Sequence, residues 1–143
     1  MYKFFIFLFI FLSANVFALD RVALVIGNAK YDINPLERSV NDAQDIALKL
    51  KNLNFRVTLV ENADKASMEK AISQFGEQMK ESDTSLFFFA GHAVQMGSKN
   101  YLLPVKSIKS IKENLGNLND YEQIKRFNNE AISSDILISL IEN

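Results

Sequence analysis

The chain has 143 residues, 48% of them hydrophobic and 23% charged, with a formal net charge of −1 at pH 7. This length suits one domain with its own core, and the near-neutral charge gives no electrostatic basis for binding nucleic acid or an anionic membrane surface. The chain has no cysteine and a single histidine, which excludes disulfides, thiol nucleophiles and thiolate or histidine-rich metal sites within it, and we expect no metal and no cofactor.

Residues 1–18 have the composition of a secretory signal peptide. A basic Lys3 is followed by the apolar run Phe4–Leu12 and then by small and apolar residues ending at Ala18, an order typical of such peptides. An uncleaved anchor is the alternative, but this run falls well short of the ~20 residues needed to span a bilayer. We therefore predict cleavage after Ala18, export to the periplasm or the extracellular space, no stable membrane span after cleavage, and one domain over residues 19–143.

The first part of that domain has the pattern strand, helix, strand. The run 21–26 is continuously apolar and β-branched and is followed by a Gly-Asn turn signal, which predicts a strand buried on both faces. Ser39 precedes Asp42 by three positions, a capping-box variant that predicts a helix start, and Asn54 is a suitable left-handed terminator. The alternating stretch 55–60 predicts the second strand.

A second helix and a third strand follow. Ser67 is the predicted N-cap of this helix, and its apolar residues fall on one stripe: Met68, Ala71, Ile72, Phe75 and Met79. The sequence SLFFF at 85–89 predicts a buried strand that ends at Gly91 and His92.

The remaining residues give less regular signals. Residues 101–105 predict a short extended piece, which Pro104 bars from the centre of a sheet. Residues 106–130 are polar and rich in Lys and Asn, and they predict a long surface connection. A helical stripe predicts a last helix over about 132–142, with these apolar positions: Ile132, Ile136, Leu137, Leu140 and Ile141.

Strands that alternate with helices indicate an α/β fold, a parallel sheet with helices on both faces. In such sheets, ligands and chemistry gather beyond the carboxyl ends of the strands. His92 follows the predicted third strand directly, so it lies at that edge.

His92 has two interpretations. Its imidazole can serve as a general acid or base near neutral pH, and its place at a strand end beside Gly91 favours such a role. The alternative is a structural or surface histidine. A catalytic base needs a nucleophile, and no G-x-S-x-G elbow is present. A serine-based arrangement would have to draw on one of four candidates: Ser82, Ser85, Ser98 or Ser133.

Several motifs together resemble the caspase-like domain of bacterial metacaspase-related proteins. They are a first strand that ends in IGN, a following Tyr and Pro-Leu, Asn-Asp-Ala at the start of the first helix, a Leu-x-Phe-x-Val entry to the second strand, an Ala-Gly-His turn and Asn-Tyr-Leu-x-Pro-Val. The resemblance is close over residues 21–105 and looser at the last helix.

The resemblance implies a three-layer caspase-like sandwich and a cysteine endopeptidase that acts on polypeptides. It implies that His92 is the catalytic imidazole and that backbone N–H groups in the neighbourhood of Gly91 and Ala93 stabilise the oxyanion of the acyl-transfer intermediate. Ala93 stands where the family usually has glycine, and its methyl group is a candidate for disturbing the turn.

In caspases the nucleophilic cysteine lies about 50 residues beyond the histidine, which corresponds to about position 142 here. We therefore expect a caspase-like domain truncated before its cysteine-bearing strand, with no nucleophile and no activity of its own. Whether the chain is an enzyme stays open, because the alternative is a non-catalytic interaction module (a pseudo-protease). A complementary C-terminal fragment is the expected partner, and an apolar strand followed by Asp-Ala-Cys in a continuation of the gene would favour the broken protease over the module.

Overall fold

The computed structural model describes residues 19–115 and 120–141. The predicted signal peptide, residues 1–18, lies outside these ranges. Within them, no helix combines the length and the apolar character needed to cross a membrane.

Three parallel strands form the central sheet: β1 (Arg21–Gly27), β2 (Arg56–Glu61) and β3 (Thr84–Ala90), in the order β2-β1-β3. β1 lies in the middle and pairs along its whole length with β3 and over most of it with β2. All of β1 beyond its first residue is buried, as its uninterrupted apolar run predicts.

Helices cover both faces of this sheet. On one face, α1 (Ser39–Asn52) packs against alternate residues of β1, and the buried residues of this cluster are Ala23, Val25, Ala43, Ala47 and Leu50. On the other face, α2 (Lys65–Met79) packs against the intervening residues, and the buried cluster includes Val22, Leu24, Ile26, Met68, Ile72 and Phe75. The predicted α/β fold with helices on both faces is confirmed.

The predicted helix starts were correct to within three residues, but both capping residues were wrong. Ser39 is the first residue of α1 and is buried, and the N-cap residue, Arg38, makes no side-chain cap. The N-cap of α2 is Asp64, whose Oδ1 accepts a hydrogen bond of 3.0 Å from the backbone N–H of Ser67. Asp and Ser are about equally favourable N-caps, so residue type alone does not decide between Asp64 and Ser67. The N-cap is the earlier of the two, three residues after the end of β2. Asn54 has φ 62°, which confirms the left-handed end of α1.

A second, antiparallel sheet follows the third strand, and only a short extended piece over 101–105 was predicted for it. It consists of β4 (Ala93–Met96), β5 (Lys99–Leu102) and β6 (Ile132–Ser133), in that order. Met96 and Lys99 pair across a two-residue loop whose first residue, Gly97, has φ 60°, the conformation that a type II′ turn requires.

The predicted surface connection over 106–130 was wrong, because two helices occupy it: α3 (Ser107–Leu115) and α4 (Asp120–Glu130). They bury a small number of apolar side chains against β5 and the segment after it, in a cluster that includes Tyr101, Leu103, Ile108, Ile111, Phe127 and Ala131. These apolar residues are separated by Lys and Asn, so the stretch as a whole is polar and its helical stripe is narrow.

The last predicted helix was correct only in its second part. Ile132 is buried on β6, and α5 (Asp135–Ile141) begins after it. Leu137 and Leu140 of the predicted apolar stripe are partly buried and pack on the α2 side of the sheet, whereas Ile136 is 43% exposed.

The close contact between β1 and α1 gives the first prediction. A Cβ added to Gly27 would lie 2.6 Å from the Cβ of Ala43 and 2.9 Å from the carbonyl oxygen of Ser39, neither of which can move without moving α1. We expect Gly27→Ala to lower the free energy of unfolding by about 1–3 kcal/mol, measured by urea denaturation.

Gly76→Ala is the matched control. The atoms nearest to its added Cβ belong to the flexible end of Leu140, at 2.8 Å, and alanine is more favourable than glycine in a helix interior by about 1 kcal/mol. A loss of stability in Gly76→Ala as large as that in Gly27→Ala would contradict the assignment of the contact.

Candidate functional site

The loops that follow the strands at the carboxyl edge of the parallel sheet are joined by a buried amide. The side chain of Asn28, directly after β1, is fully buried. Its Oδ1 accepts a hydrogen bond of 2.8 Å from the N–H of Ala63, and its Nδ2 donates one of 3.2 Å to the carbonyl of Leu103. The backbone N–H of Asn28 also donates to the carbonyl of Ala90 at 2.8 Å. Asn28 thus links the ends of all three parallel strands to the segment after β5.

A second asparagine shapes the loop after β1. Asn62, with φ 50°, accepts hydrogen bonds at its Oδ1 from the N–H groups of Ala29 and Lys30, at 3.0 and 2.9 Å. Its own backbone N–H donates to the carbonyl of Gly27 at 2.8 Å. These bonds turn the chain beyond β1 toward the loop that carries Tyr31.

Tyr31 lies between His92 and Leu103. Its hydroxyl accepts a hydrogen bond of 2.9 Å from the backbone N–H of His92 and donates one of 2.9 Å to the carbonyl of Leu103. Burial raises the pKa of Tyr31 to about 12, against the opposing effect of the hydrogen bond from His92. The phenol is therefore protonated at neutral pH and able to donate.

The glycine at position 91 is required by this contact. A Cβ there would lie 2.5 Å from the hydroxyl oxygen of Tyr31 and 2.6 Å from Cζ of Phe89. Both distances are shorter than side-chain atoms tolerate, so the approach of Tyr31 to the His92 backbone depends on Gly91.

The imidazole of His92 contacts the loop after β1. Its Nε2 lies 2.8 Å from the carbonyl oxygen of Asn34, and its ring centroid lies 4.5 Å from that of Tyr31, at an interplanar angle of 59°. A carbonyl can only accept a hydrogen bond, so Nε2 carries the proton and Nδ1 of the neutral ring carries the lone pair. No hydrogen bond within the described ranges involves Nδ1, and the ring is partly exposed. Asn34 has φ 56° and precedes Pro35, a left-handed conformation that directs its carbonyl to the ring.

Ala93, predicted near the oxyanion position, is the first residue of β4. The N–H of Leu103 donates to the carbonyl of His92 at 2.9 Å, so His92 and Leu103 stand at a hydrogen-bonded position of the antiparallel ladder, directly before the pair of Ala93 and Leu102. Alternation then directs the N–H of Ala93 away from β5, to the side of β4 that has no neighbouring strand among the described residues. The Ala93 side chain is exposed and its φ is not positive, so the methyl group does not disturb the turn.

The four candidate serines do not share this site. Ser82 and Ser85, whose Oγ atoms are 2.8 Å apart, lie at the opposite end of β3, about 20 Å from His92 at the usual rise of a strand. Ser98 lies in the turn of the β4–β5 hairpin, and Ser133 lies on β6 with its Oγ accepting from the N–H of Asp135. The structure therefore gives the serine-based alternative no support.

Metal ligands do not cluster in the described part of the chain. No group of three or more His, Cys, Asp or Glu side chains there could hold a metal ion.

Comparison with known proteins identifies a family. The family model described as the caspase domain matches residues 20–129. Over 89 residues, 62% of the chain, the sequence is 28% identical to the human mucosa-associated lymphoid tissue lymphoma translocation protein 1, and its mouse homolog gives the same identity and coverage. The chain spans about 11% of the length of each of these relatives.

Removal of the Asn28 side chain tests the role of the buried amide. In Asn28→Ala, the N–H of Ala63 loses its hydrogen bond, which costs about 1–3 kcal/mol, and the carbonyl of Leu103 loses one of its partners but keeps the Tyr31 hydroxyl, which costs about 1 kcal/mol. We expect a total loss of about 2–4 kcal/mol in urea denaturation. Asn100→Ala, in an exposed position of β5, is the control and should change stability by less than about 0.5 kcal/mol. Equal effects of the two substitutions would contradict this role.

The raised pKa of Tyr31 predicts a loss of stability in alkali. Its pKa is about 12 in the folded protein and 10.0 ordinarily, so its contribution is complete below pH 10 and is lost as the pH rises through 12. We expect the unfolding free energy of the wild type to fall over this range by up to about 2.7 kcal/mol more than that of Tyr31→Phe. Urea denaturation of both proteins across the range measures the difference, and parallel curves would show that Tyr31 is not the group responsible.

Proposed function

The chain belongs to the caspase domain family, and from this premise we propose that it supplies the histidine side of a cysteine endopeptidase site. His92 is the proposed acid–base residue, and the N–H of Ala93, with the neighbouring Gly91 backbone, is the proposed oxyanion donor. The substrate class is polypeptide, in keeping with the family.

The observation that carries the proposal is the orientation of the His92 ring. Nε2 is bound to the Asn34 carbonyl at 2.8 Å, and Nδ1 is left without a hydrogen bond from the described residues. A thiol placed beside Nδ1 would give its proton to that nitrogen, and the Asn34 carbonyl would stabilise the imidazolium through the Nε2 proton.

The remaining steps use the same groups. The thiolate attacks the carbonyl carbon of a peptide bond, and the oxyanion that forms accepts a hydrogen bond from the outward-directed N–H of Ala93. When the carbon–nitrogen bond breaks, the imidazolium returns its proton to the leaving amine, and an acyl-enzyme results. Water then attacks that thioester and gives a proton to Nδ1. When the carbon–sulfur bond breaks, the acid is released and the imidazolium returns that proton to the departing thiolate, which restores the thiol and the neutral ring.

The thiol in this scheme belongs to another segment. No cysteine occurs in these 143 residues, so they form no acyl-enzyme by themselves, and we propose that they are inactive alone. The proposed partner is a complementary fragment that contributes the cysteine.

One observation favours a second candidate function, a non-catalytic interaction module. Among the described residues, β3 pairs only with β1, so its other edge has unpaired backbone groups. Beside that edge lies an apolar cavity of about 270 Å³, lined by Phe75, Met79, Ser85, Phe87 and Leu137. An extended apolar segment of a partner that adds a strand to β3 would fill this cavity, whether or not it carries a cysteine.

Export is a further part of the proposal. The basic, apolar and small-residue segments of residues 1–18 support a cleaved signal peptide and a periplasmic or extracellular location.

Thiol activation tests the proposed role of His92. The probe is a synthetic peptide with an apolar β-branched strand followed by Asp-Ala-Cys, mixed with the purified protein, and the readout is the rate of cysteine alkylation by iodoacetamide at pH 6.5. A free thiol is only about 1% ionised at that pH, so pairing with the imidazole should raise the rate roughly ten-fold or more. His92→Ala should bind the peptide equally well and leave the rate unchanged.

The protein alone is the control for activity. It should not hydrolyse fluorogenic peptides that carry Arg, Lys or Asp before the scissile bond, and turnover that disappears in His92→Ala would contradict the proposed inactivity. Peptide binding without faster alkylation would reject the histidine role and favour the interaction module.

A further inference from the structure

We propose that Tyr31 is a positioning residue for His92, in which one side chain fixes both the backbone and the ring of the histidine. This inference rests on the proposed function of His92. It concerns how the imidazole is held and not the chemistry that the imidazole performs.

The backbone of His92 is joined to that of Leu103 by hydrogen bonds that include the Tyr31 hydroxyl. Two residues that form a hydrogen-bonded pair of an antiparallel ladder normally exchange two direct N–H···O bonds. Here only one is direct, from the N–H of Leu103 to the carbonyl of His92 at 2.9 Å. The reciprocal bond passes through the hydroxyl of Tyr31, which accepts from the N–H of His92 and donates to the carbonyl of Leu103, both at 2.9 Å. The hydroxyl therefore widens the pair on one side and sets the direction in which His92 leaves the parallel sheet.

The ring of His92 is held by the loop that carries Tyr31. The Tyr31 ring packs on the imidazole at 4.5 Å between centroids, and the Asn34 carbonyl of the same loop binds Nε2. The loop is itself anchored, because the N–H groups of Tyr31 and Leu36 both donate to the carbonyl of Ala29, each at 2.9 Å. The imidazole is thus held from two directions by one anchored loop.

A phenylalanine would preserve the ring contact but not the bridge. Tyr31 is only 5% exposed, so we expect no solvent water to replace the two bonds that the hydroxyl makes. In Tyr31→Phe, the His92 N–H loses its acceptor. The Leu103 carbonyl loses the hydroxyl donor and keeps the hydrogen bond from Nδ2 of Asn28.

The chain offers a matched control in Tyr101. It is also buried, and its hydroxyl donates to Oδ1 of Asn128 at 3.0 Å, while its ring contacts Phe127 and not His92. Tyr101→Phe therefore removes a hydroxyl of the same kind without touching the histidine.

The experiment is NMR on the purified protein, in which the single histidine makes the imidazole resonances unambiguous. The first readout is hydrogen exchange of the His92 backbone amide, and the second is the imidazole N–H resonance of Nε2. In Tyr31→Phe we expect His92 amide exchange about ten-fold faster or more, while the imidazole N–H resonance persists because the ring contact and the Asn34 carbonyl remain. In Tyr31→Leu, which also removes the aromatic contact, we expect that resonance to be lost as the ring becomes mobile. In Tyr101→Phe both readouts should stay as in the wild type, even where stability falls equally.

Unchanged His92 amide exchange in Tyr31→Phe, or an unchanged imidazole N–H resonance in Tyr31→Leu, would overturn the proposal and leave Tyr31 as a packing residue only. If Tyr31→Phe does not fold, the wild type alone decides: the bridge requires a protected His92 amide beside an unprotected Ala93 amide, and equally fast exchange of the two would overturn it. The measurements need neither peptide nor thiol. A positive result with no thiol activation would therefore reject the proposed function of His92 while the bridge itself stands, and the reverse pair of results would reject only the bridge.

Discussion

The arrangement of the whole edge depends on the buried amide of Asn28. A fully buried Asn side chain is tolerated only when its donor and acceptor are both satisfied, and here the partners come from the loop after β2 and the segment after β5. The fold must therefore bring those two segments to the end of β1 before the amide can be buried. The position of Leu103 follows from this requirement, because its carbonyl receives the Asn28 amide.

Leu103 connects the buried amide of Asn28 to His92. Its carbonyl also accepts the Tyr31 hydroxyl, and its N–H binds the carbonyl of His92. The histidine is thereby attached to the parallel sheet through β3 and to the antiparallel sheet through the Leu103 pair. Its ring is oriented by a backbone carbonyl, that of Asn34, instead of a carboxylate, and by an aromatic neighbour. These groups carry no formal charge, so the orientation of the ring does not depend on the ionisation of a partner.

The sequence predicted the parts of the fold whose burial is set locally. β1 is buried on both faces and α1 and α2 on one face each, so uniform apolar runs or stripes identified them. α3, α4 and the hairpin were missed because their few apolar residues form a second core that exists only once distant segments meet. Ile132 was assigned to a helix for the same reason, since its strand exists only through pairing with Leu102. At the site, position beyond a strand end identified His92. Tyr31 entered only as one of the motifs of the family resemblance, with no role attached, and Asn34 has no local signal that separates it from ordinary loop residues.

The physical separation of these contacts has a consequence for how the site is completed. Every contact that orients the His92 ring comes from residues between the end of β1 and the segment after β5, and none requires a thiol. In the described part of the chain, the open edge of β3 runs along the whole strand. The apolar cavity lies toward the amino-terminal part of β3, far from His92, and is lined by residues of α2 and α5 as well. A partner strand that docks along β3 would therefore gain its binding energy from the cavity and the strand edge, and would meet an imidazole that is already oriented. Under the proposed function, binding of the second part of the site and preparation of its base are two independent events, and the ordering of the histidine is complete before the nucleophile arrives.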